Sequence, residues 1–212
     1  GKKNTVSIKG AEEIILIAKL YIEEDGERII ERLKKEILSL GENYETLLDG
    51  HTALHRPLFN ASRIEICPEE TCGEWKANEQ LLLDSYDGDV DTRLVQTLFD
   101  YGHYLLISSA GELPPNLQGV WNGDYEPVWQ SDFHNDENIQ MNYWAALPTH
   151  LEETAKSYFA YYESKLDDYR ENAKTLFNCR GILIPIAQTV HGKFYGDSAF
   201  WNVWTAGGGW IG

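Results

Sequence analysis

The sequence predicts a mainly α-helical chain that opens with a short β-type segment. Three observations carry that reading. The hydrophobic period changes near Gly26, from alternation to steps of three and four residues. The helical period returns in stretches 91–107 and 151–177. Aromatic loops rich in Gly, Pro, Asn and Asp join these stretches. With 42% hydrophobic residues, and 7 Trp, 12 Tyr and 7 Phe among 212 residues, the chain can fill a core.

Each element has its own warrant. Residues 5–9 alternate like a strand, 10–13 read as a turn, and 14–18 as a buried strand. Ile29, Ile30, Leu33, Ile37 and Leu40 mark an amphipathic helix from Gly26, with Gly41 as its stop. A second helix fits 44–59, with Leu47, Leu48, His51, Leu54 and Leu58 on one side and Pro57 near its end. Residues 63–66 look like a short strand. Residues 68–88 read as a polar loop with a helical turn at 79–83.

Asp91 can cap the helix 91–107, whose Leu94, Val95, Leu98, Phe99, Gly102, Leu105 and Leu106 share a face. A long loop follows to 136, and its apolar anchors (Leu113, Leu117, Val120, Trp121, Trp129) argue for order. Helix returns at 137–147, capped by Asn135 or Asp136, and again over 151–177. Residues 181–185 read as extended, and 199–204 as a further helix start. No internal repeat of fixed period is present.

Charge narrows the function classes. The chain holds 18 Lys+Arg against 34 Asp+Glu, a formal net charge of −16. Phosphate binding needs clustered cations, so a nucleic-acid partner is not expected. No apolar run approaches the roughly 20 residues of a membrane span, so no membrane is expected either. The three cysteines are too few for a disulfide framework. Cys67 and Cys72 fit a local disulfide or two inert thiols better than a zinc pair. His51 and His55 lie one helical turn apart without a third ligand and read as a helix face. Glu152, Glu153, Asp167 and Asp168 read as a solvated helix face. No metal and no cofactor are expected.

The placement of charge says more than its total. No Lys or Arg occurs between Arg93 and Lys156, whereas Glu112, Asp124, Glu126, Asp132, Asp136 and Glu137 do. Six of the seven tryptophans fall at or after Trp121. Such a surface repels phosphates and carboxylates. It suits a neutral polyhydroxyl ligand, whose C–H faces stack on rings and whose hydroxyls meet amides and carboxylates. On composition alone, a tryptophan-rich core under acidic loops is the favoured explanation.

Segments 113–122 and 129–144 crowd together Asn116, Gln118, Asn122, Asp132, His134, Asn135, Asp136, Asn138, Gln140 and Asn142. So many polar groups among Trp and Met need partners, and a ligand supplies several at once. These blocks, Leu-Pro-Pro-Asn-Leu-Gln-Gly-Val-Trp-Asn and Asp-Phe-His-Asn-Asp-Glu-Asn-Ile-Gln-Met-Asn-Tyr-Trp, resemble the catalytic domain of glycoside hydrolase family 95. That family comprises inverting α-L-fucosidases and related α-L-galactosidases. The resemblance covers about residues 44–212, including His51, 99–109 and 200–210.

The resemblance implies a partial (α/α)6 barrel with a short N-terminal β segment from a preceding sandwich domain. Residues 1–25 would end the sandwich, 26–90 would be linker helices with a short strand, and 91–212 the first part of a truncated barrel. It implies cleavage of terminal α-L-fucosyl or α-L-galactosyl residues from a neutral oligosaccharide. Asn138 and Asp136 would organise the attacking water. His134 would contact the sugar, and Trp121, Trp129, Asn122 and Trp144 would complete the binding site.

The family has Asn where this chain has Asp136. An ionised Asp only accepts hydrogen bonds, whereas Asn also donates, so the water site is altered or Asp136 is itself a base. His134 leans the reading toward fucose. The family's general acid is expected beyond Gly212, so the chain reads as an inactive fragment of a longer enzyme, with exposed apolar helix faces. A bacterial secreted or periplasmic location is the working expectation. The alternatives are a non-catalytic carbohydrate-binding protein of the same fold and, last, a lyase or epimerase, whose acidic substrate would want cations.

Overall fold

The computed structural model describes residues 5–19, 26–66, 73–88, 90–194 and 203–212. It is mainly helical, as the changing period predicts. It divides into two compact units, Gly1–His55 and Arg56–Gly212.

In the first unit, α1 (Gly26–Ser39) buries Ile29 and Leu33, one turn apart, on its apolar stripe. Ile30, predicted on the same stripe, is instead exposed. Gly41 has φ 77°, the left-handed backbone expected just past a helix end. Asn43 caps α2 (Tyr44–Phe59), its Oδ1 accepting from Thr46 N at 2.8 Å. The expected strands at 5–9 and 14–18 are absent. Those residues form no strand, and Leu16 is 91% exposed. Alternation alone cannot hold a strand, because its N–H and C=O groups need a neighbouring strand.

The second unit begins in the last turn of α2. His103 donates from Nε2 to Leu58 O at 3.2 Å, a carbonyl at the helix end that also accepts from Ala61 N at 3.1 Å. The expected strand at 63–66 is also absent. Ile66 N donates to the Gln96 side chain rather than to a ladder. The helical turn predicted at 79–83 is part of a longer helix, α3 (Asn78–Asp87), packed on α4 (Thr92–Ser109). Asp91 caps α4, as predicted.

The stretch 151–177 is two helices, α6 (Glu152–Ser164) and α7 (Leu166–Phe177), broken at Lys165. Leu151, Ala155, Tyr158 and Tyr162 recur at helical steps and are buried. On α7, Tyr169, Asn172 and Ala173 are buried in the same way. Asn178 ends α7 in the left-handed conformation at φ 50°.

The core joins these tyrosines to Phe133, Ile139, Ala146, Ile184 and Ile211. It is tyrosine-rich, not tryptophan-rich. Trp121, Trp129 and Trp144 are 53%, 58% and 59% exposed. Two short strands, β1 (Phe133–His134) and β2 (Ala187–Gln188), pair antiparallel, with Phe133 opposite Gln188. The expected helix start at 199–204 falls largely outside the described residues, and the last described helix is α8 (Gly207–Ile211).

Candidate functional site

The loop after α4 is organised by its own amides. Asn116 Oδ1 accepts from Gln118 N at 3.1 Å, and Gly119 N donates to Asn116 O at 3.0 Å. Gly119 turns at φ 66°, and a Cβ there would lie 2.5 Å from the Trp121 ring. Leu117 N donates to Asp132 O at 2.9 Å, and Gln118 Nε2 donates to Val128 O, so the two ends of the loop are laced together. Asn122 Nδ2 donates to Ser131 Oγ at 3.3 Å. Residues 110–132 are thus held without a regular ladder.

A single turn, Val128–Ser131, sets the next group. Trp129, Gln130 and Ser131 have φ of 57°, 59° and 50°. For residues with a Cβ this costs on the order of 1–2 kcal/mol each. The turn places the Trp129 ring edgewise to His134, with centroids 5.6 Å apart and planes at 80°. His134 Nδ1 pairs with Asp132 Oδ1, and both side chains are almost wholly buried.

Below His134 lies a closed polar network. Asn135 is fully buried. Its Nδ2 donates to Pro185 O at 2.7 Å and to Gln188 Oε1 at 3.0 Å. Its Oδ1 accepts from Tyr162 OH at 2.5 Å, and its N donates to Ile186 O at 2.6 Å. Gln188 Oε1 also accepts from Tyr169 OH at 3.1 Å, and Gln188 Nε2 donates to Tyr161 OH at 2.8 Å. Tyr161 OH donates its own hydrogen bond to Thr189 O at 2.7 Å. Burial raises all three phenols well above the ordinary tyrosine range. They remain neutral and can donate.

This network decides which helix end follows. Asn135 was a candidate cap for the next helix, but its side chain is committed to β2 and α6. Glu137 caps α5 (Asn138–Tyr143) instead. Glu137 N donates to Gln140 Oε1 at 3.1 Å, and the Glu137 side chain accepts from Gln140 N. Gln140 Nε2 returns to Asn135 O at 2.6 Å. Glu137 itself is strained at φ 127°. The helix ends at Tyr143, shorter than the predicted 137–147, and turns continue to 150.

The expected site residues therefore divide into groups. Asp136 and Asn138 are exposed at the start of α5, beside the buried Asn135. His134 and Trp129 are in ring contact, and Asn122 is tied to the same turn through Ser131. Trp121 lines a cleft of about 620 Å³ between α4, the 115–121 loop and α5, with Asn116, Gln118, Met141 and Asn142. Gln118 Oε1 is buried there without a hydrogen-bond partner. Trp144, Trp129, His134, Asp136 and Asn138 lie outside this cleft, and of these all but His134 are exposed.

Sequence reading missed Gln188, Tyr161, Tyr162 and Tyr169. One signal was available. Gln188 interrupts the apolar run Ile182-Leu-Ile-Pro-Ile-Ala187, and a buried amide needs partners. Among the described residues no cluster of His, Cys, Asp and Glu could hold a metal ion. None of the described helices is long and apolar enough to cross a membrane.

Comparisons with known proteins agree on one family. The glycosyl hydrolase family 95 catalytic domain matches residues 43–212. The chain is 31% identical over 175 residues to alpha-L-fucosidase 2 of Arabidopsis thaliana, covering 80% of this chain and 21% of that protein. It is 37% identical over 121 residues to the probable alpha-fucosidase A of Aspergillus niger, covering 56% and 15%. It is 33% identical over 164 residues to the probable alpha-fucosidase A of Aspergillus oryzae, covering 74% and 22%. It thus spans about a fifth or less of these relatives' length. The match runs through the loop, the Asp132–His134 pair and α5, and the chain belongs to glycoside hydrolase family 95.

Proposed function

We propose that the gene product carrying this chain removes terminal α-L-fucosyl residues from oligosaccharides, with inversion at the anomeric carbon. The carrying observation is the family match across the segment that presents His134, Asp136 and Asn138. The exposed tryptophans and the cation-free stretch between Arg93 and Lys156 support a neutral sugar over an anionic one. The names of the relatives support fucose in particular.

Inverting hydrolysis needs an acid for the leaving oxygen and an activated water on the opposite face of the sugar. Asn138 and Asp136 organise that water at the start of α5. Their exposure leaves both free to meet it. His134 reads the sugar, and Trp129, Trp121, Trp144 and Asn122 shape its surroundings. The acid is assigned to none of these residues. In the gene product, Asn138→Ala should lower kcat on a chromogenic α-L-fucoside by roughly 10²–10³, as for other groups that stabilise a reacting centre. An unchanged rate would remove the assignment.

Asp136 favours a second reading. With Asp where the family has Asn, the gene product could hold fucose without hydrolysing it. Calorimetric binding of L-fucose together with no turnover, restored by Asp136→Asn, would decide for it.

A further inference from the structure

We infer that Asp132 is a positioning residue that acts through His134, fixing both the direction of its ring and the nitrogen it presents to the sugar. The inference rests on the proposed role of His134. It starts from the pairing of His134 Nδ1 with Asp132 Oδ1, two side chains 12% and 5% exposed. A carboxylate only accepts hydrogen bonds, so the proton between them belongs on Nδ1. In the neutral ring Nε2 then carries the lone pair, and it is the nitrogen left for a ligand hydroxyl. A ring without this partner could flip or take the other tautomer, exchanging a hydrogen-bond acceptor for a donor at the sugar.

Three further contacts hold the pair where this requires. Asp132 O accepts from Leu117 N at 2.9 Å, tying its backbone to the opposite limb of the loop. Phe133, next in sequence, is buried against Tyr161, with ring centroids 4.9 Å apart. Trp129 closes the ring of His134 on a second side. The histidine is thus held at Nδ1 by charge and along one edge by an aromatic wall. This matches the way a partner on one imidazole nitrogen sets the chemistry of the other.

A double-mutant cycle on the gene product tests it, with Asp132→Asn, His134→Ala and the pair, read as kcat and KM on a chromogenic α-L-fucoside. Asn keeps the size of Asp132 but offers an amide donor to Nδ1 as readily as an acceptor. Asp132→Asn alone should lower kcat/KM roughly 10- to 100-fold. In the His134→Ala background it should cost less than about threefold, because its target is gone. Equal losses in both backgrounds would overturn the inference and mark Asp132 as a loop-holding residue only. A silent His134→Ala would overturn the functional reading and this inference with it. If Asp132→Asn does not accumulate as folded protein, Asp132→Ser serves in the same cycle and is judged by the same criteria.

Discussion

Asn135→Ala should loosen the joint between β1 and β2 far more than a surface substitution does. The mutation deletes three side-chain hydrogen bonds at a fully buried site. Not every partner is stranded. Gln188 Oε1 keeps Tyr169 OH at 3.1 Å, so it remains satisfied. Pro185 O and Tyr162 OH are left without Asn135. An orphaned buried polar group costs about 1–3 kcal/mol, so two of them cost roughly 2–6 kcal/mol before any cavity is counted. The backbone bonds of residue 135 to Ile186 O and from Gln140 Nε2 do not depend on its side chain.

The assay is hydrogen–deuterium exchange by mass spectrometry, which reads local opening rather than global melting. Peptides covering β1, the start of α5 and β2 should exchange at least about 30-fold faster in Asn135→Ala, since each 1.36 kcal/mol is a factor of ten. Tyr162→Phe strands only Asn135 Oδ1, so about 1–3 kcal/mol is expected and a smaller acceleration. The amides of α4 should be unmoved in both variants. A less than threefold change at β1 and β2 in Asn135→Ala would refute the argument, because the network would then be an ornament on a joint held by other means.

Two further outcomes follow from the same packing. Tyr143 and Tyr158 have phenols pushed up to about 12 by burial. The folded form therefore keeps protons that the unfolded chain loses near pH 10. Stability is intact below pH 10 and falls as the pH rises toward 12, so phenolate absorbance should appear together with loss of helical circular dichroism. Gly192→Ala would set a Cβ 2.7 Å from both Lys165 Cβ and Tyr169 Cε1, and 3.1 Å from Asp168 Cβ. Overpacking of this kind costs about 1–3 kcal/mol, measurable as a lowered urea midpoint.

That glycine also shows where a sequence pattern stops short. Asp167 and Asp168 are neighbours on a charged helix and read alike. Asp167 is exposed, but Asp168 turns inward to accept from Gly192 N at 3.0 Å. The helical period was legible for α1, α4, α6 and α7 because each buries one stripe, and burial enforces spacing, whereas α2 forms as predicted with none of its residues buried. The break at Lys165 was not legible. Both halves carry the same period, and no Pro or Gly marks the joint. The N-terminal alternation misled for the opposite reason. Its period was clear, but a strand is a property of two segments, and among the described residues the ladder forms between 133–134 and 187–188.

The long loop was legible as an ordered segment from its apolar anchors, and its interior was not. Left-handed backbone is expected of Gly or Asn, and here it falls on Trp129, Gln130 and Ser131, so no residue type announced the turn that brings Trp129 to His134. The crowd of ten polar side chains was read as demand for a ligand. Much of that demand is internal. Asn135 and Gln140 are buried and satisfied, Asn122 serves Ser131 and Asp124 N, and Asp132 serves His134. What remains open is Asp136, Asn138 and Asn142 on and before one short helix, with Nε2 of His134 and the buried, unpartnered Gln118 Oε1. Asn138 and Asn142 are one helical turn apart and share a face. The polar crowd is therefore mostly scaffold, and the chemistry proposed for this segment narrows to the few groups the scaffold leaves open.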